Sequence, residues 1–223
     1  MNTKPLNNIY VSRLAASALA IVVVVSSTAA LGNPTAAITV NQDSNTIIDF
    51  NADSVAGWEF TVNENVQVTA LGVWDGNLDG FSESIPLGLY RSSDQQLLGS
   101  VTVAAGTASP LTGNFRYVDL AVPVNLSVAT EYTLAMYTGS LVGPSNGELV
   151  NIPGFYDVNP TVNLVRRRAE FDGIGGLVFP TQTLSANSTG IGAGFLFIPE
   201  PASLALLGLG GLALLRRRRR VTN

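Results

Sequence analysis

Between residues 38 and 198 no stretch of useful length carries apolar residues at helical spacing, whereas short runs alternating apolar and polar residues recur throughout. Alternation puts successive side chains on opposite faces of a strand, so such a chain buries its apolar half only as sheet. Residues 58–62 put Trp58, Phe60 and Val62 on one face. Residues 66–74 set Val66, Val68, Ala70 and Gly72 opposite Thr69, Leu71 and Val73. Further strands are predicted at 46–50, 87–91, 97–103, 115–121, 132–137, 149–152, 162–167, 177–179 and 194–197. The runs 87–91 and 97–103, joined across Ser92-Ser93-Asp94, read as a hairpin. Many short strands with Gly and Asn between them argue an all-β domain, an antiparallel β-sandwich or jelly roll. The stretch of about 160 residues is long enough for one domain with its own core.

Composition removes several classes of chemistry. The chain has no histidine and no cysteine. Ser-His-Asp and Cys-His nucleophile systems, His/Cys zinc sites and disulfides are therefore excluded. The one lysine, Lys4, lies near the start, so the β domain holds no Schiff-base amine. No glycine-rich loop leads from a strand into a helix, which removes nucleotide-binding motifs. Residues 38–198 contain fifteen Asp/Glu and five Arg, a net charge of −10, which the whole-chain value of −4 conceals. An acidic surface repels nucleic acid and is compatible with divalent cations.

Two apolar segments bracket the domain. Residues 1–37 read as a secretory signal: Lys4 and Arg13, a 12-residue apolar core at 14–25, then Ser26, Ser27, Thr28, Ala29 and Ala30. Cleavage after Ala30 or after Ala37 fits small residues at the −3 and −1 positions, and an uncleaved N-terminal anchor is the competing reading. At the other end stand Ile198-Pro199-Glu200-Pro201, an apolar run at 202–215, and Arg216, Arg217, Arg218, Arg219 and Arg220. The prolines fix φ and extend the residues before them, holding Glu200 on a stiff, exposed segment. As a helix the 14-residue run spans roughly 21 Å, short of a ~30 Å hydrocarbon core. The arginines favour a membrane segment over a core helix, because an Arg cluster holds its end on the cytoplasmic side and long stems snorkel. The predicted organisation is a signal helix at 1–37, a β domain at 38–197 and a tail with a short transmembrane helix at 198–223.

Pro199, Glu200 and Pro201, with the apolar run and the basic stop, resemble the PEP-CTERM sorting tail of exported Gram-negative proteins, also labelled an ice-binding protein C-terminal motif. Ile198 stands where such tails often have Val. The resemblance implies an exosortase-type membrane protease as partner, a temporary inner-membrane anchor, and delivery to the cell surface or extracellular matrix. No regular threonine array that would match an ice lattice accompanies it. Residues 57–139 carry a second resemblance through Gly57-Trp58-Glu59-Phe60-Thr61-Val62, Thr69-Ala70-Leu71-Gly72-Val73-Trp74-Asp75, Asp79-Gly80, Leu87-Gly88-Leu89-Tyr90, Asn114-Phe115-Arg116-Tyr117-Val118 and Glu131-Tyr132-Thr133-Leu134. These look like an uncharacterised bacterial β-sandwich family, often found before such tails, which implies a fold and no activity.

Within the domain, Asp75-Gly76-Asn77-Leu78-Asp79-Gly80 fits the first half of a calcium loop. Alternating oxygens from Asp75, Asn77 and Asp79 can wrap a hard cation, Gly80 permits the turn, and Glu83 can add a carboxylate. Position 12 is Pro86 rather than Glu, which argues against an EF-hand. The plain alternative is a polar turn. Asp75, Asp79, Glu83, Glu59 and Glu64 could also supply the two carboxylates of a glycosidase, or be solvated loop acids. Trp58, Trp74, Tyr90 and Tyr137 could form a sugar-stacking platform or fill a core. Arg166-Arg167-Arg168 could meet acidic polysaccharide, pair with the domain's own acids, or protect a sheet edge. The expectation is a non-enzymatic surface or matrix protein of structural or adhesive role. A carbohydrate-binding module for extracellular polysaccharide is the alternative and a glycoside hydrolase the third.

Overall fold

Most of the predicted strands become sheet in the computed structural model, which describes residues 32–40, 47–48, 53–138, 149–150, 156–171, 173–184 and 191–200. The strands are β1 (Thr35–Ala36), β2 (Ile38–Val40), β3 (Ile47–Ile48), β4 (Val55–Val62), β5 (Val66–Trp74), β6 (Ile85–Arg91), β7 (Gln96–Val103), β8 (Leu111–Thr112), β9 (Phe115–Leu126), β10 (Tyr132–Tyr137), β11 (Leu149–Val150), β12 (Tyr156–Val158), β13 (Val162–Glu170), β14 (Gln182–Leu184) and β15 (Ala193–Pro199). They form a five-stranded sheet, β1-β15-β5-β9-β8, and a six-stranded sheet, β14-β13-β4-β10-β6-β7. Two small ladders, β11-β3 and β12-β2, stand beside them. Every pairing among the described residues is antiparallel. The predicted signal helix and tail helix lie outside the described residues.

The core lies between the two large sheets. Trp58 and Phe60 on β4 meet Phe195 on β15, with ring centroids 5.9 and 5.0 Å apart. The indole Nε1 of Trp58 donates to the Ala193 carbonyl at 2.9 Å, tying one sheet to the other. Fully burying one such side chain stabilises by about 1.5–3 kcal/mol, so this cluster is a main source of cohesion. One hairpin and one bulge show how local backbone shapes the sheets. Gly113 and Asn114 both have positive φ, 56° and 63°, as the two-residue β8–β9 hairpin requires. Strand β9 shifts register against β5 between Val68 and Ala70, which leaves Val122 75% exposed on a bulge.

The predicted strand at 177–179 is not a strand. Gly173 and Gly175 take positive φ, 70° and 69°, and break the extended pattern. Residues 173–180 instead run as an irregular strap over the outer face of the six-stranded sheet. Ile174, Leu177 and Phe179 pack there on Val55, Tyr90 and Ala135, a small second core. Asp53 anchors the strap: its carboxylate accepts from the Gly175 amide and the Tyr137 hydroxyl, both at 2.7 Å. Those two bonds hold the Asp53 carboxyl below its usual range, and the same contact pushes the Tyr137 phenol up to about 12. The first strand begins at Thr35 and the last ends at Pro199, so the sheets reach past both ends of the predicted 38–197 domain.

Candidate functional site

The sorting segment grows out of a strand. In β15, Phe195, Phe197 and Ile198 are buried, and the chain runs between β1 and β5. Its pairing with β5 shifts register between Leu196 and Phe197, skipping Thr69, and then runs to the end with Ile198 opposite Gln67 and Pro199 opposite Val66. Pro199 has no N–H to give the ladder, which suits the last residue of a strand. Glu200 follows without a break: its amide donates to the Asn65 carbonyl at 3.1 Å, and Asn65 Nδ2 reaches Glu200 Oε2 at 3.4 Å. Asn65 Oδ1 in turn accepts from the Val128 amide at 3.2 Å. Two of the three motif residues, Pro199 and Glu200, are thus held by the domain. Pro201, the apolar run and Arg216 to Arg220 lie outside the described residues. Sequence reasoning missed Asn65; its one signal was the Asn63-Glu64-Asn65 turn between two strong strands.

The loop at Asp75 is organised by an arginine. Asp75 is fully buried, and its carboxylate receives Arg116 Nε at 2.5 Å. The Gly80 amide donates to both Asp75 oxygens, at 3.3 and 3.2 Å. Arg116 Nη1 donates to the Thr107 and Ser109 carbonyls, and Nη2 to the Leu78 carbonyl. One guanidinium therefore fastens residues 75–80 to residues 107–109. Gly80 has φ 86°, and a Cβ there would lie 2.4 Å from the Gly106 carbonyl carbon. Asn77 and Asp79 are exposed and Glu83 is half-buried. This geometry does not fit a calcium loop, because the first ligand is already neutralised by a buried cation and faces inward. Among the described residues no three His, Cys, Asp or Glu side chains come together to hold a metal. Asp75 is equally unsuited to act on a substrate from the inside of an ion pair.

Of the remaining candidate acids, Glu59 pairs with two arginines of the triplet. Glu59 is fully buried under the strap and meets Arg166 Nε at 2.7 Å and Arg168 Nη2 at 2.9 Å. A bulge between Leu164 and Arg166 makes this possible. It puts Arg166 opposite Glu59 and Arg168 opposite Gly57 on the outer face, and Arg167 opposite Trp58 on the inner one. Arg168 also lies over the Phe179 ring, 5.2 Å from its centroid. Arg167 donates to the Tyr156 hydroxyl at 2.7 Å, and burial pulls its guanidinium below its usual range. Strand β13 lies between β4 and β14, so the edge-protection reading of the triplet is replaced by internal pairing. Glu64 accepts from the Thr161 hydroxyl at the surface.

The aromatic quartet does not form a platform. Trp58 and Trp74 are each 1% exposed, and Tyr90 lies beneath Phe179 of the strap. Only Tyr137 is partly open, and its hydroxyl is engaged by Asp53. Burial is also why the Tyr117 phenol is raised above its usual range. With the geometry in view, comparison with known proteins adds one assignment: residues 197–220 match the PEP-CTERM protein-sorting motif. The match begins inside β15 and runs through the basic stop. No curated protein matches the chain.

Proposed function

We propose that this is an exported bacterial protein, anchored in the inner membrane by its tail until an exosortase-type protease acts at Pro199-Glu200-Pro201. The β domain then serves at the cell surface or in the extracellular matrix as a non-enzymatic structural or adhesive module. The observation that carries this reading is the sorting-motif match at 197–220, continuous with a strand of the domain. The non-enzymatic part rests on how the domain uses its chemistry. Asp75, Glu59 and the arginines of β13 are spent on internal pairing, and the large aromatics fill cores. A carbohydrate-binding role would need a surface other than Trp58, Trp74, Tyr90 and Tyr137.

The test is Glu200→Ala in the exporting host. Wild-type protein is expected to shorten by roughly 2–3 kDa, the mass of the residues beyond the motif. The variant is expected to stay full-length in the inner-membrane fraction. Release of the variant at the normal size and rate would overturn the reading.

A further inference from the structure

We propose that the domain latches its own sorting motif, and that Asn65 is the residue that sets how often the latch opens. This rests on the reading that Glu200 is recognised during processing. The motif is not carried on a free linker. Ile198 is buried, Pro199 ends the β5 ladder, and both the amide and the carboxylate of Glu200 are held by one residue, Asn65. A protease that binds its substrate as an extended strand needs the backbone edge and side chain of Glu200 for itself. Both are occupied while the motif lies on the domain. Processing therefore proceeds through a frayed end in which Glu200 has left Asn65, and the apparent affinity of the enzyme is reduced by the fraction of time the end is open.

The fold is arranged so that fraying is local. Pro199 contributes no N–H, so the ladder is already weak at the residue before Glu200. Strand ends open at far lower cost than core strands. Upstream, Phe195 and Phe197 are buried and β15 is flanked by β1 and β5, so the rest of the strand stays in place. Asn65 is itself fixed by the bond its Oδ1 accepts from Val128, which aims Nδ2 at Glu200. The latch is an exposed contact of ordinary strength, so it tunes a rate rather than forbids it.

The experiment is a pulse-chase of the full chain in its exporting host, with hydrogen exchange on the purified full-length protein. Asn65→Ala removes the side-chain half of the latch. Asn65→Asp replaces a donor with a carboxylate facing Glu200. An exposed hydrogen bond of this kind is worth roughly a two- to tenfold shift in an opening equilibrium. Both variants should shorten the life of the unprocessed form by about that factor, Asn65→Asp at least as much as Asn65→Ala. Exchange at the Glu200 amide should quicken while β5 stays protected. Wild-type or slower processing of both variants, with Glu200→Ala still blocked, would overturn the latch alone. Faster processing accompanied by lost protection throughout β5 and β15 would also overturn it, because the cause would then be global unfolding. Normal processing of Glu200→Ala would overturn the underlying reading and the latch with it.

Discussion

Replacing Arg116 with Met should lower the melting temperature of the domain by on the order of 10 °C. Breaking a buried ion pair by removing one partner costs about 3–5 kcal/mol, because the other charge stays in a dry site. In a domain of this size each kcal/mol shifts the midpoint by roughly 2–4 °C. Here the loss is wider than one charge. Asp75 would be left with only the Gly80 amide, and the Thr107, Ser109 and Leu78 carbonyls would lose their donor. The double variant Asp75→Leu/Arg116→Met separates the two parts. Apolar replacement of a buried pair is often neutral, yet the buried Ser109 carbonyl still lacks its donor, so the double variant should recover most but not all of the loss. Calcium in the millimolar range should leave the wild-type curve where it is. Thermal melts in calcium and in chelator check all of this. An Arg116→Met domain as stable as wild type, or a wild type stabilised by calcium, would refute the arginine as the organiser of the loop.

The second large effect is at Glu59. Glu59→Gln should cost about 3 kcal/mol, the lower end of the range for an orphaned buried pair, since one of its two arginines can escape. The Arg166 side chain is 39% exposed and can turn to solvent, whereas that of Arg168 is 15% exposed beneath the strap. Arg166→Ala should therefore stay within about 1 kcal/mol of wild type, like other surface pairs. Arg168→Ala should fall between the two, because it removes a close partner of Glu59 and the cation over Phe179. Chemical denaturation of the three variants gives the order directly. An Arg166 variant as damaging as the Arg168 variant would show that exposure does not govern this cluster.

Sequence pattern was informative where one strand could be judged by itself. Strands β5 and β10 fall where alternation and β-branched residues put them, at 66–74 and 132–137. Strands β1, β2, β8, β12 and β14 are two or three residues long, too short for a period to show. Leu177-Val178-Phe179 has strand composition, but its apolar residues serve a strap that covers an outer face, and only the tertiary fold creates that demand. Asp75, Asn77 and Asp79 were visible as a pattern. Their meaning depended on Arg116, 41 residues away, which no local window contains. Glu59 and Arg168 are 109 residues apart, and the bulge that turns Arg168 toward Glu59 leaves no trace in composition. The sorting tail was legible because its signals are contiguous. Its grip on Asn65 was not, because that contact joins residues 135 apart.

Strand β1 pairs with β15, Thr35 opposite Phe197, so the described chain enters the sandwich at the same pole from which it leaves. The apolar run begins at Ala202, two residues past Glu200, a reach of at most about 7 Å. With that run in a bilayer the domain has almost no standoff. On the proposed anchoring, the expected pose sets its 63–65 and 127–130 turns toward the headgroups and its Asp75 pole a strand length away, about 30 Å. In that pose an anchored copy would touch only what comes within that height, and cutting the tail would uncover the pole nearest the lipid. The absence of cysteine makes the tilt measurable with single labels. In the uncleaved Glu200→Ala chain, a fluorophore at Val128→Cys should be quenched by headgroup spin labels and one at Asn77→Cys should not. Equal quenching at both positions would mean that the sandwich lies on its side or swings freely.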